Sequence, residues 1–464
     1  MIKIEDTLKK AIEYSKSASD YCDIRLNSSF SETVSKTPKE ESSSTSTSGG
    51  IGIRVLKDGA YGYTSCQKTD LASIKEAIDK ASKIAKIQSG KTKNKITYIE
   101  QKSITDTKST RIKIDPADIS LVEKYSILKD AFTYANLKEI VFTQGRISSG
   151  KTDKIFLNTE GSIIKTRIAR TIIAHTSVAK RGARQTMNYD VYAKPQGFET
   201  IKELDIERFI TNISRKAISF LDAVKPPEGK MDVIMSPQVA GTLIHEVFGH
   251  AAEADWVANG RSLLKDKLNK RIGSEMMSIY DDGSMPGGWG TIYYDDEGTP
   301  SKNTLLLDKG ILVQYMHSKE TAARLNMPLT GNGRAQDHTH TVIPRMTNTY
   351  LAPGSHNIDE MIKDTKKGII VDKYTVALED PAGGSFELKT LGGHIIENGE
   401  LKKPIERATI SSSSFIDTFM NVCAISKRMN KMNVGSCGKG HEDWVAVGNP
   451  SPHVKIRDLI VGGN

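Results

Sequence analysis

The residues with the clearest chemical potential form one short run, His245-Glu246-Val247-Phe248-Gly249-His250. It supplies two imidazoles and a carboxylate within one segment of helical pattern. Imidazole nitrogen is a good zinc ligand, and a zinc site that does chemistry needs three protein ligands and a position left open for water. A neighbouring carboxylate can take the proton from that water as it attacks a carbonyl. The histidines are five residues apart, one more than in the HExxH arrangement. Read alone, the run is therefore also compatible with a polar helix face bearing ordinary surface histidines. The extra residue sets a geometric condition. On a regular α-helix, residues five apart are turned by roughly 140° and offset by about 7.5 Å, too far apart to share one tetrahedral ion. Either a π-turn brings positions i and i+5 onto one face, or the helix is released near Gly249 and His250 swings back. Glycine permits both, and the continuing Ala251-Ala252-Glu253-Ala254 favours the π-turn.

A third ligand has to come from elsewhere in the chain. Cys437 sits in Gly435-Ser436-Cys437-Gly438-Lys439-Gly440. A thiolate binds zinc strongly, and the glycines let the backbone bring it close; the alternative is a small buried hydrophobe. His441 follows four residues later and would reach the metal if that loop turned helically; otherwise it faces substrate. His338 and His340 alternate, so a strand would put both on one face. Asp295, Asp296 and Glu297 could hold magnesium, although Gly298 favours a turn. Arg334 and Arg345 flank the histidine pair, and either could orient a substrate carbonyl or terminal carboxylate or sit in a structural ion pair. The glycine run around Cys437 lacks the spacing of a phosphate loop. Cys22, Cys66 and Cys423 lie in apolar or strand-like contexts and read as structural; four scattered cysteines make no disulfide framework.

These residues need a scaffold. The motif follows a strand over 230–235, with Ser236 as N-cap and Pro237 in the first helical position. Beyond 288 the chain is strand-like and punctuated by glycine, with helical stretches only near 318–326 and 415–428. The first half begins with a helix over 2–18 and short strands at 21–27 and 29–35. The Ser/Thr-rich stretch 37–50 cannot contribute to a core and reads as a mobile loop. A hairpin over 51–65 and an amphipathic helix over 70–88 follow. After a poorly patterned connector over most of 89–117 come a helix at 119–135, an antiparallel meander over 138–193 and a helix at 201–222. Lys225-Pro226-Pro227-Glu228-Gly229 marks the domain boundary. The expected class is α+β: an N-terminal α/β domain, 1–225, then a largely antiparallel β domain, 226–464, carrying the metal-binding helix.

A chain of 464 residues exceeds the usual single domain. It has no apolar run near the ~18 residues of a membrane span and no signal-peptide pattern, so a cytoplasmic protein without membrane contact is expected. The net charge of +9 is uneven, +12 over residues 1–225 and −3 over the rest. The basic half is a Lys-rich solvated surface or a face for an anionic partner. No zinc-finger spacing, aromatic RNA-binding run or arginine-rich arm is present, so no nucleic-acid partner is expected.

Several separate segments point the same way. HEVFGHAAEADWVANGRS, DDGSMPGGWGTIYYDDEG, HSKETAARLN, PLTGNGRA, PRMTNTYLAPG, GSCGKG and the late LIVGG together resemble the TldD branch of the TldD/PmbA metallopeptidases. The resemblance spans most of 236–464 and is looser over 1–225. It implies that His245, His250 and Cys437 bind zinc and that Glu246 acts in catalysis. PmbA/TldE-like proteins lack the HExxxH motif, so it implies the active half of such a pair. Where the family usually has Gln, this chain has His441. The implied activity is zinc-dependent hydrolysis of peptide bonds in intracellular peptides or unfolded segments, by a homodimer or a heterodimer with a TldE/PmbA-like subunit. Two rivals remain: a non-catalytic binding or scaffold subunit, and a cysteine hydrolase pairing Cys437 with a histidine.

Overall fold

The computed structural model describes residues 2–91, 95–96, 99–430 and 434–463. The first half is built on a seven-stranded sheet. Its order runs Ala60–Cys66, Glu41–Lys57, Tyr21–Lys36, Ile140–Asn158, Ile163–Arg181, Thr105–Ser109, with Arg184–Lys194 also paired to Ile163–Arg181. All pairings are antiparallel except that of Thr105–Ser109 with Ile163–Arg181. Two groups of helices cover one face of it, at different places along the strands. Ile2–Ser15 and Leu71–Lys91 bury Leu8, Ile74 and Ile78 against Ile24 and Ile53. Leu121–Ala135 sets Leu128 against Ile147 and Ile173, and Ile206–Ser219 packs beside it. Gly62 lets Leu71–Lys91 approach closely, since a Cβ there would lie 2.0 Å from the Ala81 carbonyl oxygen.

The Ser/Thr-rich stretch is not a loop. Glu41–Lys57 pairs with Tyr21–Lys36 without interruption from Tyr21↔Leu56 to Lys36↔Glu41, and 21–36 is one strand rather than two. Residues 41–49 are exposed and add nothing to a core, as the composition requires. Their backbone groups on the side of Tyr21–Lys36 are taken up by the ladder, which needs no apolar side chain, while the other edge faces solvent. The connector 89–117 likewise holds the strand Thr105–Ser109 and the 3₁₀ turn Pro116–Asp118; part of it, 92–94 and 97–98, lies outside the described residues.

The second half contains another seven-stranded sheet, ordered Lys367–Glu379, Gly229–Met235, Ser451–Gly463, Ala408–Ser412, Phe386–Glu397, Glu400–Ile405, with Val422–Asn430 beside Ser451–Gly463. Lys367–Glu379 also pairs with Phe386–Glu397, which closes five strands into a barrel. Only Gly229–Met235 and Lys367–Glu379 run parallel. The helical stretch expected over 415–428 stops at Met420. From Val422 the chain pairs with Ser451–Gly463 instead, burying Val422 and Ile425. The acidic run 295–297 joins the two halves. Arg54 pairs with both Asp23 and Glu297, and Lys154 with Asp296 at 2.7 Å. Asp295 accepts the backbone N–H groups of Glu297, Thr299 and Gly333. These carboxylates are committed to the protein's own cations and amides, so the magnesium reading is dropped. Among the described residues, no helix is long and apolar enough to cross a membrane.

Candidate metal centre

Gly229–Met235 lies between Lys367–Glu379 and Ser451–Gly463, so the chain leaves the barrel at a fixed point. Ser236 caps the next helix by accepting the Val239 N–H, and Pro237 occupies its first turn. The helix is α over Pro237–Leu243 and π over Ile244–Gly249. Its register is carried by the His250 N–H donating to the His245 carbonyl at 3.2 Å, an i→i−5 bond. Ile244, Val247 and Phe248 are buried around it. The backbone at Gly249 lies outside the left-handed region, so its freedom there is not what glycine supplies. A Cβ at 249 would fall 2.1 Å from the Met346 sulfur. Glycine makes room for Met346, which packs onto the π-turn.

The π-turn brings both imidazoles to one side. Ring nitrogens of His245 and His250 and the Cys437 sulfur all lie within 4.8 Å of one another. Cys437 Sγ is 3.4 Å from His250 Nε2, and the rings are 5.3 Å apart at 79°. All three side chains are buried. Cys437 is on a strand, Val434–Lys439, hairpinned with Glu442–Gly448 through Gly440 and His441, rather than in a loop. Burial alone would push its thiol up. The charge on His245 and the hydrogen bonds from both imidazoles outweigh burial and hold it down, at about 4. The donor set is thus two imidazoles and a thiolate, with His245 Nδ1 buried and, among the described residues, without a hydrogen-bond partner. That combination suits zinc in both ligand type and spacing.

Residues around the three donors fix them. His250 Nδ1 is 3.0 Å from Glu253 Oε2, which turns Nε2 towards Cys437. Lys439 Nζ meets Glu253 at 3.1 Å, Asp255 at 2.7 Å and the Pro344 carbonyl at 2.9 Å. Burial would raise the Glu253 carboxyl, but Lys439 and His250 hold it down at about 2. Arg345 is fully buried; it pairs with Glu442 and donates to the Cys437 carbonyl at 2.6 Å. It braces the thiolate strand. Glu253 was within reach of sequence reasoning, since three residues is a helical neighbour spacing. The Lys439 partnership was not.

Glu246 is partly exposed beside the donors, with Oε2 3.7 Å from His250 Nε2. A second carboxylate, Glu379, ends the strand Lys367–Glu379, and its oxygen lies within 4.8 Å of ligand atoms of Glu246 and His250. Burial, then the Glu246 charge, raises it to about 7. Nothing in the sequence linked these two carboxylates. His441 stands at the hairpin tip, 3.2 Å from Thr341 Oγ1 and stacked on His340, outside the three-donor cluster. The turn there is a hairpin and not helical, so it does not swing back to the donors. His338 and His340 lie in a turn, not a strand. His340 is held by Asp337 at 2.8 Å. Arg334 is buried and donates to the carbonyls of Met346 and Ala446.

The C-terminal domain model of the PmbA/TldA metallopeptidases matches residues 228–463, and that of their domain 1 matches 39–85. A metalloprotease of Methanocaldococcus jannaschii is 35% identical over 429 residues, covering 90% of this chain and 92% of its own. A zinc metalloprotease TldD homolog of Saccharolobus solfataricus is 35% identical over 260 residues, 56% of this chain and 57% of its own. In architecture the chain is similar to TldE from Thermococcus kodakarensis, with a TM-score of 0.78 at 19% identity over 98% of this chain and 100% of that one. With a family model matched over half its length and a relative this similar nearly end to end, the chain belongs to the TldD/PmbA family of metallopeptidases.

Proposed function

We propose that this chain is a zinc-dependent peptidase of the TldD type, hydrolysing peptide bonds in cytoplasmic peptides or unfolded polypeptide segments. The observation that carries the reading is the convergence of His245, His250 and Cys437 with Glu246 at their open side. Zinc, when bound, would polarise the scissile carbonyl and acidify water. Glu246 accepts the proton of the attacking water and returns it to the leaving amine. Glu253 and Lys439 hold the His250 ring, and Arg345 holds the strand of Cys437. Glu379, neutral for much of the time near pH 7, limits the negative charge facing Glu246. Likeness to TldE in architecture, and the family, support assembly as a homodimer or with a TldE/PmbA-like subunit.

A second reading draws on the 3.4 Å contact of the Cys437 thiolate with His250, the pairing of a cysteine hydrolase. Metal analysis with peptide digestion in the presence and absence of chelator separates the two. The zinc reading expects about one zinc per chain, hydrolysis abolished by chelator, zinc lost from Cys437→Ser and zinc retained by an inactive Glu246→Gln. Full zinc in Cys437→Ser would remove that residue from the site. Turnover undiminished in Glu246→Gln would overturn the mechanism. Chelator-resistant hydrolysis lost in Cys437→Ser would favour the cysteine reading.

A further inference from the structure

Between the face of the first sheet and the hairpin that carries Cys437 lies a cavity of about 210 Å³. Asn27, Thr152 and Thr166 line it from the sheet, and Gln336 and Trp444 from the other side. Two guanidinium groups also line it, Arg170 from Ile163–Arg181 and Arg334 from the second half. Their partners are unusual. Arg170 donates to the carbonyls of Trp289 at 3.1 Å and Thr291 at 3.3 Å and lies over the Trp289 ring. Arg334 donates to the carbonyls of Met346 and Ala446. Among the described residues, neither has a carboxylate within ion-pair distance. Asp296 also lines the cavity, but its oxygens are taken by Lys154 and the Ala335 N–H. Arg170, Arg334 and Lys154 therefore share one small polar space with the single carboxylate of Asp296, which leaves its lining with an excess of positive charge.

Arg334 is buried and Arg170 half-buried, and carbonyl dipoles replace only part of the hydration such charges lose. The cost shows in both groups. Burial, then mutual repulsion, lowers Arg170 to about 10; burial, then Arg345, lowers Arg334 to about 10. An anion between the two would remove that penalty, and a planar guanidinium presents paired donors to an oxyanion. We propose that this cavity is a binding site for a small oxyanion, a carboxylate or a phosphate, held jointly by Arg170 and Arg334. The site is separate from the three donors and requires neither zinc nor hydrolysis.

Two of the chain's three tryptophans, Trp289 and Trp444, border the site, so binding can be read by intrinsic fluorescence and checked by calorimetry on the full chain. The probes are inorganic phosphate, acetyl-dialanine with a free carboxylate, and its amide, at constant chloride. The wild-type protein is expected to bind phosphate or the free carboxylate saturably with one site, and to ignore the amide. Whichever oxyanion binds tighter identifies the source. Arg170→Gln should weaken the dissociation constant at least tenfold. Thr152→Glu is the second variant, because Thr152 pairs with Ile168, diagonal to Arg170, and brings a carboxylate into the cavity. It should abolish the response and raise the melting temperature. The proposal is overturned if the wild type binds neither oxyanion, or if the amide binds equally well. Unchanged affinity in Arg170→Gln also overturns it, as does, should that variant not fold, unchanged affinity in Thr152→Glu.

Discussion

Replacing Gly249 with alanine separates two explanations of the motif helix. If glycine served only backbone freedom, Gly249→Ala would stabilise the protein, because alanine is the better helix residue by about 1 kcal/mol. The structure predicts the opposite sign. The added Cβ would lie 2.1 Å from Met346 Sδ and 3.1 Å from its Cε, and Met346 is fully buried. Forcing a methyl into such a site costs about 1–3 kcal/mol, so after the propensity gain the variant should lose about 0–2 kcal/mol. A double-mutant cycle sharpens the test. Met346→Ala alone should cost about 2–5 kcal/mol through the cavity it leaves. In that background Gly249→Ala should be neutral or stabilising, giving a coupling above about 1 kcal/mol. Urea unfolding measures all four proteins, and zinc titration of the same set reports whether His250 has moved. Stabilisation by Gly249→Ala in the parent, with unchanged zinc affinity, would refute the packing argument.

Other expectations follow from single contacts. Glu253→Gln should keep the fold but weaken zinc affinity about 10–100-fold, the range for losing a carboxylate behind a metal-ligating histidine; a competition titration against a coloured chelator reads it. His175 is buried beside Phe132 with both ring nitrogens unpartnered among the described residues, and burial lowers it from 6.5 to about 4. Its folded value is the lower one, so its contribution is complete above about pH 6.5 and is lost as pH falls towards 4. That amounts to about 3 kcal/mol in full and about 2 kcal/mol by pH 5. His175→Phe should therefore flatten the acid side of the stability curve, and an unchanged slope would remove this residue from the explanation. Light scattering at micromolar concentration should show at least a dimer, alone or with a TldE-like chain; a persistent 51.0 kDa particle would count against assembly.

What the sequence made legible was local. Ser236, Pro237 and the apolar run after them marked a helix start, and the five-residue histidine spacing called for either a π-turn or a release near Gly249; Ile244–Gly249 is the π-turn. What it hid depended on strand register between distant segments. Cys437 looked like a glycine loop because three small residues surround it, yet its backbone pairs with Val445. Glu379 meets Glu246 only because Lys367–Glu379 runs parallel to the strand entering the motif helix. Arg334 and Arg345 look alike in the sequence, but one braces the Cys437 strand while the other opens onto a cavity. Residues 41–50 misled for a different reason: low hydrophobicity excludes a core, not a strand, when a long neighbouring strand pairs along the whole of one edge.

The barrel closure has a bearing on how this chain is made. Gly229–Met235, which aims the motif helix, is held on one side by Lys367–Glu379 and on the other by Ser451–Gly463, and His250 waits 187 residues for Cys437. Contacts so distant form late, after the entropy of closing long loops has been met. A ribosome-bound chain that has not reached Ser451 can hold two histidines and Glu246, but neither the thiolate hairpin in place nor the strand that seats it. A chain still on the ribosome therefore lacks the assembled set of His245, His250 and Cys437. The three donors meet only when the last barrel strand, Ser451–Gly463, is inserted beside Gly229–Met235.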